Sequence, residues 1–240
     1  MPFSPKPLTS LKPRLQALSR QHCTQLCGLD LIPHQSGALY VPDHQTLIIS
    51  DLHLEHGTSL ARRGIHVPPF DTASTLAILI ETISAINPER LIFLGDSFHD
   101  GEGESRLDEA HLQILRKLTN TYETFWIIGN HDPHPPQSLG GHGAESIVLG
   151  PITLRHEPAK HIDNEIEIAG HLHPGCGLNL RGRHVRGKCF IADHRRLIMP
   201  AFGAYTGALS ITSSAFHGLF DKTQTKIWLI GKSGLHRFSL

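Results

Sequence analysis

Between residues 46 and 170 the chain alternates short apolar runs with segments of helical period, and this alternation restricts its fold more than any other feature. The runs are "TLIIS" (46–50), "RLIFLG" (90–95), "TFWIIG" (124–129), "SIVLGPITLRH" (146–156) and "EIEIAG" (165–170). The first three lack the polar alternation of a half-exposed strand, so they read as strands covered on both faces. Between them, "DTASTLAILIETISAI" reads as a helix with Asp71 as N-cap that stops before Pro88. "SRLDEAHLQILRKLTN" reads as a second helix from near Ser105, with acids in its first turn and Arg116 and Lys117 in its last, as the helix dipole favours. Strand–helix–strand–helix–strand implies parallel pairing through right-handed crossovers. The later half, with closely spaced short strands and glycines, points to a second sheet of mixed or antiparallel pairing.

Each apolar run empties into a polar cluster. "LIIS" is followed by "DLHLEHG", "LIFLG" by "DSFHD", "FWIIG" by "NHD", "ITLR" by "HEP" and "IEIAG" by "HLHP". Ligands of open α/β sheets gather outside the carboxyl ends of the strands. Five separate segments therefore deliver Asp51, His53, Asp96, Asn130, His131, His156, His171 and His173 to one rim. Residues two apart in an extended segment share a face, so Asp51 with His53, and His171 with His173, each present two donors in one direction. Carboxylates, imidazoles and one amide oxygen suit Mn²⁺, Fe²⁺ or Zn²⁺. Seven such ligands exceed the needs of one ion and fit two that share a carboxylate, the arrangement that hydrolyses phosphate esters. A lone DxH or GHxH is weak evidence, but a series of such clusters, each after a strand, is not.

Composition supports this unevenly. Nineteen histidines are far more than a chain of 240 residues ordinarily carries, yet His22, His34, His111, His217 and His236 fall outside the clusters and read as compositional. Lysine plus arginine equals aspartate plus glutamate at 22 each, so net charge names no partner. The four cysteines lack paired CxxC spacing, which argues against a structural zinc site and for reduced thiols in a cytoplasmic protein. No apolar stretch is long enough for a membrane span, and the basic N-terminus has no apolar core of a secretory signal. Residues 1–25, proline-rich with Lys6, Lys12, Arg14 and Arg20 and no acid, read as a loosely attached extension, and 26–240 as a single domain.

The blocks D51-L-H53, G95-D96-S-F-H99-D100, G129-N130-H131-D132, His156 and G170-H171-L-H173 resemble, in order, the signatures of the calcineurin-like metallophosphoesterases. "DLHLEHG", "ARRG", "PPFDT", "GDSFHD", "GNHDP", "RHEP", "GHLHP", "CF" and "PAFGAYTGAL" further resemble its DNA-ligase-associated branch over about residues 38–210, with His56 where that branch leads one to expect lysine. The resemblance implies an α/β fold, a two-sheet sandwich flanked by helices (α/β/β/α). It implies that Asp51, His53, Asp96 and His173 hold one metal, and that Asp96 bridges to a second held by Asn130, His156 and His171. The metals, manganese first with iron or zinc as alternatives, would activate a water that attacks phosphorus in line. His131 resembles the family's catalytic histidine, protonating the departing alkoxide, with Asp132, His99 and Asp100 as candidates to orient it.

The substrate implied is nucleic acid, DNA in a repair setting, with DNA ligase and helicase as functional partners. His99 occupies the position where phosphoprotein phosphatases of the superfamily carry an acid, and no arginine follows it, which disfavours that branch. Arg62 and Arg63 after the first metal loop, Arg155 beside a metal ligand, and Arg181, Arg183, Arg186 and Lys188 in the basic stretch 180–196 are candidates for phosphate contact. That stretch reads equally well as a solvated hairpin. Hydrolysis of a small phosphodiester or nucleotide pyrophosphate is the alternative activity. A catalytically weak protein-binding scaffold is a third reading, which a full set of seven ligands disfavours. "PAFGAYTGAL" reads as a strand-to-loop packing element and Cys189 as core.

Overall fold

The computed structural model describes residues 22–162, 165–180 and 183–239, and two sheets dominate it. The first runs in chain order: β1 (Thr24–Leu26), β2 (Leu29–Pro33), β3 (Leu39–Val41), β4 (Thr46–Ile49), β5 (Arg90–Leu94), β6 (Glu123–Ile127) and β7 (His142–Ala144). Pairing is antiparallel from β1 to β4 and parallel from β4 to β7. Parallel neighbours need crossovers, and these carry the helices α1 (His56–Arg62), α2 (Asp71–Ile86), α3 (Gly103–Arg106) and α4 (Glu109–Thr121). The second sheet comprises β8 (Ser146–Leu149), β9 (Ile152–Arg155), β10 (Ile166–Ala169), β11 (Pro174–Leu180), β12 (Arg183–Ala192), β13 (Arg196–Ile198), β14 (Leu209–Ser210), β15 (Lys226–Gly231) and β16 (Gly234–Ser239). Its order is β14-β11-β12-β13-β10-β9-β8, with β15 joined to β12 and β16 to β15, and it is mixed: β9, β10 and β13 run parallel while β11, β12 and β15 alternate.

Strand alternation sorts the apolar residues into layers. In β4 and β5, Leu47, Ile49, Leu91 and Phe93 face α2 and α4, meeting Leu76, Leu79, Ile83 and Leu115. Ile48, Ile92 and Leu94 face the other sheet and meet Leu154, Ile168, Phe190 and Trp228. Phe93 and Trp126 stack with centroids 4.3 Å apart, a contact contributing ~1 kcal/mol beyond area burial. The far face of the second sheet packs Cys189, Ile191, Ile198 and Leu229 under Phe216 of a short 3-10 helix, Ser214–Phe216. The chain thus forms a two-sheet sandwich with helical outer cover.

Several boundaries differ from the sequence reading for identifiable reasons. Asp71 is the first residue of α2 rather than its cap, because its carboxylate accepts a hydrogen bond from the Gly57 amide across the crossover. The helix ends on left-handed Asn87 directly before Pro88. The segment from Ser105 is split: α3 closes at Arg106, and α4 opens behind Asp108, whose side chain caps the His111 amide. "SIVLGPITLRH" is a tight antiparallel pair, β8 and β9, turning at left-handed Gly150. Residues 1–21 of the expected N-terminal extension lie outside the described residues, and Thr24 and Gln25 are already in β1.

One buried ion pair ties β10 to β13. Glu167 and Arg196 are almost solvent-free, the guanidinium Nε donates to Glu167 at 2.5 Å, and its other nitrogens reach the carbonyls of Leu219 and Ala159. Glu167→Ala leaves a buried guanidinium without its counter-charge, so unfolding free energy should fall by about 3–5 kcal/mol in urea titration. An unchanged midpoint would show that solvent already reaches this pair.

Candidate metal centre

The carboxyl ends of β4, β5, β6, β9 and β10 converge, and each is followed at once by polar side chains. The loops after β4 and β5 run alongside one another, zipped by the amides of Asp51, His53 and Leu54 donating to the carbonyls of Gly95, Asp96 and Ser97. The second sheet is sewn to the same place. The Gly170 amide donates to the His156 carbonyl, and the amides of Phe202 and Gly203 donate to the carbonyls of Ser50 and Asp51. This gives the stretch 200–209 its packing role.

The side chains do not converge by strand alternation. Asp51, His53, Asp96, His171 and His173 all have left-handed backbone, with φ from 45 to 66°. Each such residue costs about 1–2 kcal/mol. The chain adopts them because sharp turns at the strand ends fold the side chains back over the sheet edge, where an extended continuation would carry them past it.

Three-donor groups result. Asp51, His53 and His173 form one and Asp96, His156 and His171 another, with the donor atoms of each group within 4.8 Å of one another. Across the first, His173 Nε2 lies 3.1 Å from Asp51 Oδ1 and 3.2 Å from His53 Nε2. Across the second, His156 Nε2 lies 3.3 Å from Asp96 Oδ2, 3.0 Å from Asn130 Oδ1 and 3.3 Å from His171 Nδ1. Asp96 Oδ2 is also 3.7 Å from His53 Nε2, so this carboxylate stands between the groups. The structure therefore brings all seven candidate ligands together.

The donor set fits divalent cations. Asp51 and Asp96 are buried to about 1% exposure or less, and among the described residues their ion-pair partners are histidines alone. Burial would raise the Asp51 pKa, yet hydrogen bonds and positive charge from His173, His156 and Ser50 outweigh it and hold the group at about 2. Burial lowers His53 to about 3. His156 is also disfavoured as a cation by burial, but the Asp96 and Asp51 carboxylates override this and lift it to about 9. Two buried anions thus compel an imidazole to take a proton, which is the electrostatic demand that a cation answers.

The remaining candidates separate. His131 is exposed and its amide donates to Asp96 Oδ1 at 2.9 Å. Its Nδ1 lies 2.8 Å from the His99 carbonyl, and a carbonyl only accepts, so Nδ1 carries hydrogen and Nε2 is left to exchange a proton. Among the three residues considered for orienting His131, it is thus the His99 backbone that holds the ring. Asp132 is buried and spends both oxygens on backbone amides, Oδ1 on Gly129 and Oδ2 on Ser97 and Phe98. Burial raises its pKa to about 7. It braces two ligand loops against each other, a structural role in place of the catalytic one expected. Asp100 is turned away, gripping Arg106 through both oxygens at 2.8 Å.

Of the basic candidates, two are corrected. Arg155 is paired with Glu165 at 2.6 Å and with Glu167, which keeps its charge within the fold. Lys188 points inward, its ammonium donating at 2.7 Å to the Gly203 carbonyl and the Thr206 hydroxyl, with burial lowering its pKa to about 8. Arg186 is exposed on β12; Arg181 lies outside the described residues, and of Arg183 only the backbone is described. Arg62 and Arg63 are exposed at the end of α1. Sequence reasoning passed over Ser50, whose hydroxyl holds Asp51 Oδ2 at 2.5 Å; its position directly before the aspartate was the available signal.

Comparison with known proteins agrees with this arrangement. Residues 44–177 match the family model described as calcineurin-like phosphoesterase. The crystal structure of the Pseudomonas putida nuclease MPE is similar at a TM-score of 0.70 and 30% identity, covering 90% of this chain and 98% of that one. A protein of unknown function from Aquifex aeolicus is matched at a TM-score of 0.38 and 20% identity, over 53% of this chain and 78% of that one. No curated protein sequence matches the chain. Among the described residues no helix is long and apolar enough to cross a membrane.

Gly129 lets the loop after β6 lie directly on Asp96; a Cβ there would overlap that carboxylate and its amide. Saturating Mn²⁺ should stabilise the native chain by about 2.7 kcal/mol per site at a hundredfold excess over Kd, and Gly129→Ala should lose most of that gain in thermal melts. An unchanged Mn²⁺ shift in the variant would place the metals away from Asp96.

Proposed function

Because this chain belongs to the calcineurin-like phosphoesterase family, we propose that it is a two-metal phosphodiesterase that cleaves nucleic acid, DNA as an endonuclease, with manganese as its working metal. As a member of that family it is a metal-dependent phosphoesterase. The observation that carries the reading is the pair of three-donor groups meeting at Asp96. Asp51, His53 and His173 would hold one cation and Asn130, His156 and His171 the other, with Asp96 available to both. When bound, the two cations supply Lewis-acid polarisation of the phosphoryl group and acidify water toward neutrality.

The chain's own residues do the rest. The buried Asp51 and Asp96 carboxylates fix the charge and spacing of the site, and the Leu94 carbonyl, 3.0 Å from His156 Nδ1, orients that imidazole so that Nε2 faces the donor cluster. His131, steadied by the His99 carbonyl, presents Nε2 to protonate the departing alkoxide. Exposure of Asn130 and His131 at the lip suits a polymer that must lie across the site. DNA as substrate is supported by the similarity to MPE, a nuclease, and by exposed arginines near the rim.

Asp96→Ala removes the shared ligand. Hydrolysis of bis-p-nitrophenyl phosphate by the Mn²⁺-loaded protein should fall by about three orders of magnitude, with the fold retained by circular dichroism. The native protein should also nick covalently closed circular DNA. Turnover restricted to small phosphodiesters such as cyclic dinucleotides would contradict the DNA assignment, and an active Asp96→Ala variant would contradict the metal assignment.

A further inference from the structure

Helix α1 carries polar side chains that the seven-donor centre leaves unused. His56 opens α1 and Arg63 caps its C-terminus, seven residues and about two turns further on, which brings both to one side of the helix. His56 stacks on His99 with ring centroids 3.8 Å apart and planes 18° from parallel. The His56 ring is 6.4 Å from that of the donor His53, a separation on the scale of consecutive phosphates along a nucleic acid strand. Its Nδ1 is buried without a hydrogen-bond partner among the described residues, so a hydrogen bond to a ligand oxygen falls to Nε2 of this half-buried ring.

The two arginines at the end of α1 differ. Arg62 is tied to Glu102. Arg63 forms no ion pair among the described residues. Both line a cavity of about 410 Å³ with Ser59, Asp100, Gly101 and Glu102. The acids of that cavity are already answered, Asp100 by Arg106 and Glu102 by Arg62, so Arg63 brings an uncompensated positive charge to it. Burial is the main cause that lowers the pKa of both His56 and His99, and the Arg63 charge adds to it in both, which puts the guanidinium within electrostatic reach of the stack.

We propose that Arg63 and His56 form a subsite for a second phosphate of the substrate, adjacent to the phosphodiester that is cleaved, so that the enzyme selects a phosphate-flanked strand over an isolated phosphodiester. This rests on the nucleic-acid reading and extends it from chemistry to selectivity. An imidazole N–H and a guanidinium both donate to phosphate oxygens, and charge-assisted bonds of this kind are stronger than neutral ones. His99 supports the His56 ring by stacking on it.

The test compares kcat/KM for the dinucleoside monophosphate TpT with pTpT and TpTp, which add one flanking phosphate on either side, and with bis-p-nitrophenyl phosphate. The native enzyme should favour one flanked dinucleotide over TpT by about tenfold or more. That ratio should fall toward one in Arg63→Gln and in His56→Ala, and be largely kept in Arg63→Lys. His56→Phe keeps a stacking ring without ring nitrogens and should lose the preference as His56→Ala does. A native ratio near one, or a ratio unchanged in Arg63→Gln, overturns the subsite while leaving nucleic-acid hydrolysis intact. Full preference in His56→Phe overturns the role of His56. Turnover of bis-p-nitrophenyl phosphate with none of these dinucleotides overturns the subsite, and if closed circular DNA is also left intact it overturns the nucleic-acid reading with it.

Discussion

Two buried carboxylates, Asp51 and Asp96, set the terms on which this fold is built. Each is removed from water, and neither has a lysine or arginine ion-pair partner among the described residues. Isolated, they would cost many kcal/mol and titrate to the neutral acid. Here the surroundings keep them ionised: Ser50 and the His171 amide donate to Asp51, the His131 amide donates to Asp96, and imidazoles crowd the remaining lone pairs. The left-handed turns at Asp51, His53, Asp96, His171 and His173 add strain to this electrostatic cost. Such a concentration of unfavourable terms persists only when the rest of the molecule over-determines it. The backbone zipper between 51–54 and 95–97, the brace of Asp132 and the inward Lys188 supply that support.

The division of labour between the sheets follows. Parallel strands β4, β5 and β6 place the first three ligand loops side by side, while β9 and β10 bring His156, His171 and His173 from the facing sheet. Neither sheet alone completes a set of donors. Packing between the sheets, through residues such as Ile48, Ile92, Leu154 and Ile168, is therefore also what keeps the two donor groups in register. Net charge plays no part in this, since the chain is balanced; charge matters locally, at the buried Asp51 and Asp96 and at Arg63, which forms no ion pair among the described residues.

Much of this was legible in the linear chain because the signals were local. Apolar runs that end in Asp, Asn or His mark both the strand and the rim, and a rim shared by five such runs needs no long-range information. The i, i+2 pairs do converge, but through positive φ at each ligand rather than strand alternation, and that φ depends on the turn that tertiary packing selects. A charge in sequence carries no direction, so the fates of Arg155 and Lys188 are not legible there: Glu165 and Glu167 capture one, and the Gly203 carbonyl turns the other inward. Asp132 next to His131 suggested a catalytic partner, whereas its carboxylate is consumed by three amides of two loops. The stack of His56 on His99 joins residues 43 positions apart, and no periodicity could announce it.

Anomalous diffraction from Mn²⁺-loaded crystals, recorded on either side of the manganese edge, locates the metals without reference to activity. Two peaks on opposite sides of the Asp96 carboxylate, one against Asp51, His53 and His173 and the other against Asn130, His156 and His171, are expected. Manganese bound elsewhere, or a single peak with Asp96 unliganded, would contradict a shared-carboxylate pair as the basis of this fold's chemistry.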